Sequence, residues 1–134
     1  MEKKYKRDFD ELNSIYEATN RFLEEEKIGE SVAWSINLAI EELFTNMVKY
    51  NTGAGHPILI RMSIKDGRLQ IQMIDEDVDP FDPSEVPEIK LDEPIDERQI
   101  GGLGLHLVKS IVDKITYEYK NRQMKVTMIK ELKR

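Results

Sequence analysis

Between Ile58 and Met73 the chain adopts a two-residue rhythm: Ile58, Ile60, Met62 and Ile64, then Leu69, Ile71 and Met73, with Asp66-Gly67 between the two runs. Successive strand side chains point to opposite faces, so this pattern predicts a β-hairpin with one apolar face, turned at the Asp-Gly pair. A sheet with one apolar face must be covered, and the cover is predicted upstream. Residues from about Asp8 to Lys27 place Leu12, Ile15, Tyr16, Ala18, Phe22 and Leu23 near helical spacing. Ile28-Gly-Glu-Ser31 supplies a break and a serine cap, and a second helix is predicted from about Val32 to Tyr50, striped by Ile36, Ile40, Leu43, Phe44 and Met47. A polar, glycine-rich loop, Asn51 to Pro57, ends it.

After the hairpin, residues 76–100 carry four of the five prolines and many acids. Ordered loops this long are uncommon and usually functional. A third helix is expected from Gly102–Gly104 to about Asp113, and two strands, Ile115–Tyr119 and Met124–Lys130, close the chain around Lys120–Gln123. The order helix, helix, hairpin, loop, helix, hairpin predicts an α+β fold. It is a two-layer sandwich, with a mainly antiparallel mixed sheet covered on one face by about three helices, in a single domain over 1–134.

Charge narrows the function classes. The 134 residues carry a net charge of -6 with their cations spread along the chain, which argues against nucleic acid, whose phosphates need a basic face. No apolar run is long enough to cross a bilayer and the N-terminus lacks an apolar signal core, so no membrane association is expected and the cytoplasm is the expected location. Cysteine is absent, which removes disulfides and thiolate metal sites. An acidic chain that binds a polyanion must use local devices: backbone N–H groups, a helix N-terminus, a divalent cation or a few placed cations.

Three places offer such devices. On the second helix, Glu42 and Asn46 stand four apart at the border of the polar face, where a carboxylate base and an amide ligand for Mg²⁺ can serve one substrate. A solvated helix edge explains the same pair taken alone, and Glu41 reads as plain surface. On the hairpin, Asp75 shares the apolar face of Leu69, Ile71 and Met73, whereas Glu76 points away. An acid there needs a hydrogen-bond donor, and an adenine amino group is one. A turn cap is the bland alternative; a calcium loop lacks its glycine and distal glutamate. Finally, Gly101-Gly102-Leu103-Gly104-Leu105 opens the third helix, where backbone can approach phosphate closely; a hinge is the alternative. The preceding long loop, in place of a strand, removes the dinucleotide-fold context. His106 and Lys109 read as helix surface, and Trp34 as core or subunit interface.

Taken in order, Glu42-xxx-Asn46, a strand ending in Asp75, a long lid at about 76–101 and Gly-Gly-x-Gly before a helix resemble the GHKL, or Bergerat-fold, ATPase superfamily. Leu38-Ala-Ile-Glu-Glu-Leu-Phe-Thr-Asn46, Pro80-Phe-Asp-Pro83 and Gly101-Gly-Leu-Gly-Leu-His-Leu-Val-Lys-Ser-Ile-Val-Asp113 resemble its anti-sigma-factor serine/threonine protein kinases over nearly the whole chain. The resemblance implies ATP and Mg²⁺ as cofactors, Glu42 as general base, Asn46 as the Mg²⁺ ligand, and Asp75, aided by Thr127, as acceptor of the adenine amino group. It also implies Gly101, Gly102, Leu103, Gly104 and Leu105 around the phosphates, with Lys90 and Arg98 as lid cations. The implied partners are an anti-sigma-factor antagonist of STAS type as substrate, a sigma factor, and a second copy in a homodimer. One departure stands out: where the family has Asp-x-Gly before Pro-Phe-Asp-Pro, this chain has Asp77 or Val78, followed by Asp79. A side chain there obstructs close nucleotide approach, which carries the alternative of a non-catalytic partner-binding module.

Overall fold

The structure, a computed structural model, describes residues 1–50, 55–76, 78 and 108–132. The elements are β1 (Glu2–Tyr5), a 3₁₀ turn (Phe9–Glu11), α1 (Leu12–Glu25), α2 (Glu30–Tyr50), β2 (Ile58–Lys65), β3 (Arg68–Asp75), β4 (Lys114–Lys120) and β5 (Gln123–Glu131). A further helical turn spans 108–111. The strands form one sheet of order β1-β2-β3-β5-β4, and every described pairing is antiparallel.

The predicted hairpin is present, turned at Asp66-Gly67 as expected. Ile58 faces Asp75, Ile60 faces Met73 and Met62 faces Ile71. Asp66 and Gly67 both have positive φ, the conformation that lets a two-residue loop follow the sheet twist. The second hairpin turns the same way through Asn121 and Arg122, φ 53° and 61°.

One face of the sheet is buried. Ile58, Ile60, Met62, Leu69, Ile71, Met73, Met124, Val126 and Met128 pack in one core with Ile15 and Leu23 of α1 and with Ile36, Ala39, Ile40, Leu43, Phe44 and Met47 of α2. The opposite face carries the exposed Arg61, Ser63, Lys65, Arg68 and Glu118, with Ile74 buried near the end of β3. This is the two-layer α+β sandwich the sequence implies.

Some boundaries differ from expectation. α2 starts at Glu30, so Ser31 lies inside its first turn. Before α1, Asp8 caps the 3₁₀ turn, accepting from the Asp10 amide at 2.9 Å. β1 was not foreseen; its only buried side chain is Tyr5, so it shows no alternation to read. The start of the third helix and most of the expected lid lie outside the described residues. Among the described residues, no helix is long and apolar enough to cross a membrane.

Candidate functional site

The apolar stripe of α2 fixes its rotation and thereby the placement of its polar edge. With Leu43, Phe44 and Met47 against the sheet, Asn46 is only 2% exposed, while Glu42 is half-buried. Asn46 Nδ2 donates to Glu42 Oε1 at 3.2 Å, as expected for side chains one turn apart. Burial pushes the Glu42 carboxyl above its ordinary range and the charge of Glu41 adds to this, against the pull of the Asn46 amide and Lys49. Glu41 itself is not plain surface. It accepts from Tyr16 of α1, whose phenol is pushed up to about 12 by burial and by this contact.

Asp75, the last residue of β3, is 1% exposed, whereas Glu76 is exposed. Strand parity therefore identifies the buried acid correctly. Its donor is a residue the sequence did not single out. Arg7, on the short link after β1, donates from Nη1 to Asp75 Oδ1 and from Nη2 to the Met47 carbonyl at 2.6 Å. One guanidinium thus joins the end of β3 to the residue beside Asn46. Burial pushes the Asp75 carboxyl up, while Arg7 and the charge of His56 draw it down. No local sequence signal marks Arg7, because its partner lies 68 residues away.

Val78 takes one of the two positions considered for the missing glycine. It is 2% exposed and belongs to the core. Its amide donates to the Arg122 carbonyl at 3.0 Å, and its carbonyl accepts from the Tyr119 hydroxyl at 2.8 Å. The chain leaving β3 is therefore fastened to the β4–β5 hairpin. Beside it, a cleft of about 460 Å³ is lined by His56, Glu76, Lys120, Asn121, Arg122 and Gln123.

Thr127 is not near Asp75. Met124 is the residue opposite Asp75, and Thr127 pairs with Gln72 and Thr116. Odd and even positions of β5 face opposite sides, so Thr127 lies on the uncovered face and Met124 on the buried one. Trp34, at 69% exposure, is not in the core; Lys109 is exposed as expected. Gly101, Gly102, Leu103, Gly104, Leu105, Lys90, Arg98 and His106 lie outside the described residues. Among the described residues, no group of three or more acidic, histidine or cysteine side chains could hold a metal ion.

A one-sided antiparallel sheet under paired helices, with a buried acid ending its third strand beside a helix-borne Glu–Asn pair, defines the Bergerat class of ATP-binding domains. The profile of the histidine kinase-like ATPase domain matches residues 6–130, and the chain belongs to that family. Among characterised proteins it is similar to the serine/threonine-protein kinase BtrW of Bordetella bronchiseptica, 24% identical over 86 residues. That match covers 63% of this chain and 61% of BtrW.

Solved structures agree on the fold. The RsbU and RsbW domains of a Mycobacterium tuberculosis protein align with a TM-score of 0.73 and 14% identity, over 100% of this chain and 32% of that one. The SiaB–SiaC complex of Pseudomonas aeruginosa gives 0.70 and 17% identity, over 96% and 88%. The histidine kinase AdeS of Acinetobacter baumannii gives 0.58 and 13%, over 100% and 68%.

Proposed function

We propose that this chain is an ATP-dependent protein serine/threonine kinase of the anti-sigma-factor type. In this reading it phosphorylates a STAS-type anti-sigma-factor antagonist in the cytoplasm and, when free of it, sequesters a sigma factor. Homodimerisation belongs to the same proposal. The observation that carries it is the Arg7 bridge from Asp75 to the carbonyl of Met47, the neighbour of the buried Asn46 that donates to Glu42. Similarity to BtrW, a serine/threonine-protein kinase, points the same way.

The residues present fit the groups they would hold. Asp75 is a buried acceptor, and an adenine amino group would donate to it in place of Arg7. The Asn46 amide turns its nitrogen toward Glu42, leaving its oxygen for Mg²⁺, which commonly takes few protein ligands and completes its shell with phosphate and water. Mg²⁺, when bound, would neutralise phosphate charge. Glu42, with its carboxyl raised by burial, would accept the proton of the substrate hydroxyl, a role that favours a base closer to neutrality than an exposed glutamate. Backbone amides of Gly101–Leu105 would hold the phosphates, with Lys90 or Arg98 above them. Phosphoryl transfer asks mainly for positioning and charge neutralisation.

The test is radiolabel transfer from ATP to the antagonist in the presence of Mg²⁺, with Glu42→Gln alongside. Transfer by the parent and a loss of about 10²–10⁴-fold in the variant are expected; a parent that transfers no label removes the kinase assignment. The buried Val78 and the Arg7–Asp75 pair favour a second reading, a partner-binding module that has lost nucleotide. Calorimetry with ATP and ADP separates the two, because the module alone predicts no heat at millimolar nucleotide.

A further inference from the structure

Asp75 is the acid an adenine would use, and in this structure it is already used. The Arg7 side chain is 8% exposed and Asp75 1%, so the pair is shielded from water. The link that carries Arg7 is fastened in place. The Asp8 amide donates to the Lys6 carbonyl at 2.8 Å, the Lys6 amide to Glu11 at 3.2 Å, and the Asp10 amide to Asp8 at 2.9 Å. None of these bonds involves the Arg7 side chain, so the fold of the link does not depend on its contact with Asp75.

The pairing is also incomplete. Arg7 Nε is buried without a hydrogen-bond partner, an arrangement that costs free energy. A guanidinium donating to a carboxylate is still a stronger donor than a neutral amino group. A base offering one N–H to Asp75 must compete against Arg7 for that carboxylate.

We propose that Arg7 is the specificity-determining residue of the base pocket, an internal competitor that occupies the Asp75 carboxylate and lowers the preference for purines bearing an exocyclic amino group. The proposal rests on the nucleotide-binding reading above. Binding of such a base is coupled to withdrawal of Arg7, which also frees the Met47 carbonyl beside Asn46. A base with an oxo group at that position has no N–H to place on Asp75 and can accept from Arg7 where it stands, so its binding does not require the arginine to withdraw.

The experiment is equilibrium binding of ATP and ITP to the full chain and to Arg7→Gln, Asp75→Asn and the double variant. The ratio of the two affinities is the readout, because any change in general electrostatics acts on both triphosphates alike. In R7Q the ATP/ITP preference is expected to rise about tenfold, equivalent to about 1.4 kcal/mol. On the D75N background, Arg7→Gln should change the ratio much less than in the parent, since the contested carboxylate is reduced to a neutral amide oxygen. If R7Q does not fold, Arg7→Lys serves. It keeps the charge but cannot span both partners, and a severalfold rise is expected. An unchanged or reduced ratio, with nucleotide bound, overturns the competition and leaves the nucleotide reading standing. No binding of either triphosphate to any variant overturns both.

Discussion

Glu42 sits between two environments, an apolar helix stripe below and solvent above, and its chemistry follows from that position. Burial raises its carboxyl above the ordinary range, so the folded state holds this proton more tightly than the unfolded chain does. The ionised form therefore costs stability, fully at pH values above the raised value, and the cost disappears as pH falls through that value into the ordinary glutamate range. Glu42→Gln removes the charge but keeps an oxygen toward Asn46. We expect its Tm to exceed the parent's by about 2 °C at pH 7, with the gain vanishing in acid, while phosphoryl transfer is lost. Thermal melts across pH check this; a lower Tm for the glutamine variant at pH 7 would contradict the assigned cause. The geometry of the candidate site was legible at this scale where a local rule sufficed: strand parity picks Asp75 over Glu76 as the buried acid, and helical spacing pairs Glu42 with Asn46. Thr127 fails on two counts: alternation with the buried Met124, Val126 and Met128 puts it on the other face, and the register, which only pairing supplies, sets it opposite Gln72 rather than Asp75. Arg7 was invisible because its partners are distant in sequence.

At the scale of elements, the hairpins were legible because alternation and turn chemistry are local. β1 was not, since an edge strand with three exposed residues and one buried tyrosine shows no pattern. The segment after β3 is the instructive case. The sequence marks Val78 or Asp77 as a departure from a glycine; the fold shows Val78 to be a core residue held at both backbone groups by the β4–β5 hairpin. Val78→Gly should therefore destabilise rather than restore. It loses about 2 kcal/mol of buried side chain, and roughly 1 kcal/mol more through backbone freedom in the unfolded chain. Urea denaturation is the measurement. A variant as stable as the parent would mean that the valine side chain contributes nothing where it lies.

For the whole molecule, the question is what ties the helix layer to the sheet beyond apolar contact. Apolar packing is non-directional and tolerates sliding; the Arg7 bridge does not, because one rigid fork holds the end of β3 and the last turn of α2 together. The sequence announced two layers but not this tie, nor that β5 enters between β3 and β4, since hairpin patterns reveal which strands pair consecutively and not which one docks on the rest of the sheet. Surface pairs make a useful contrast. Arg61 and Glu2 are 48% and 56% exposed, so Glu2→Gln should change stability by no more than about 1 kcal/mol. Asp75→Ala instead strands a guanidinium that is 8% exposed, and breaking such a pair costs about 3–5 kcal/mol. Against a typical total of about 5–15 kcal/mol, that loss would leave the protein marginal at 37 °C. Asp75→Asn keeps an oxygen for Arg7 and should fall between parent and alanine variant. Denaturant titrations with an unchanged slope and midpoints in the order parent, D75N, D75A would establish the bridge as a tie between layers. An alanine variant within 1 kcal/mol of the parent would show that apolar packing alone sets the geometry, and that the guanidinium rests on Asp75 without holding the layers together.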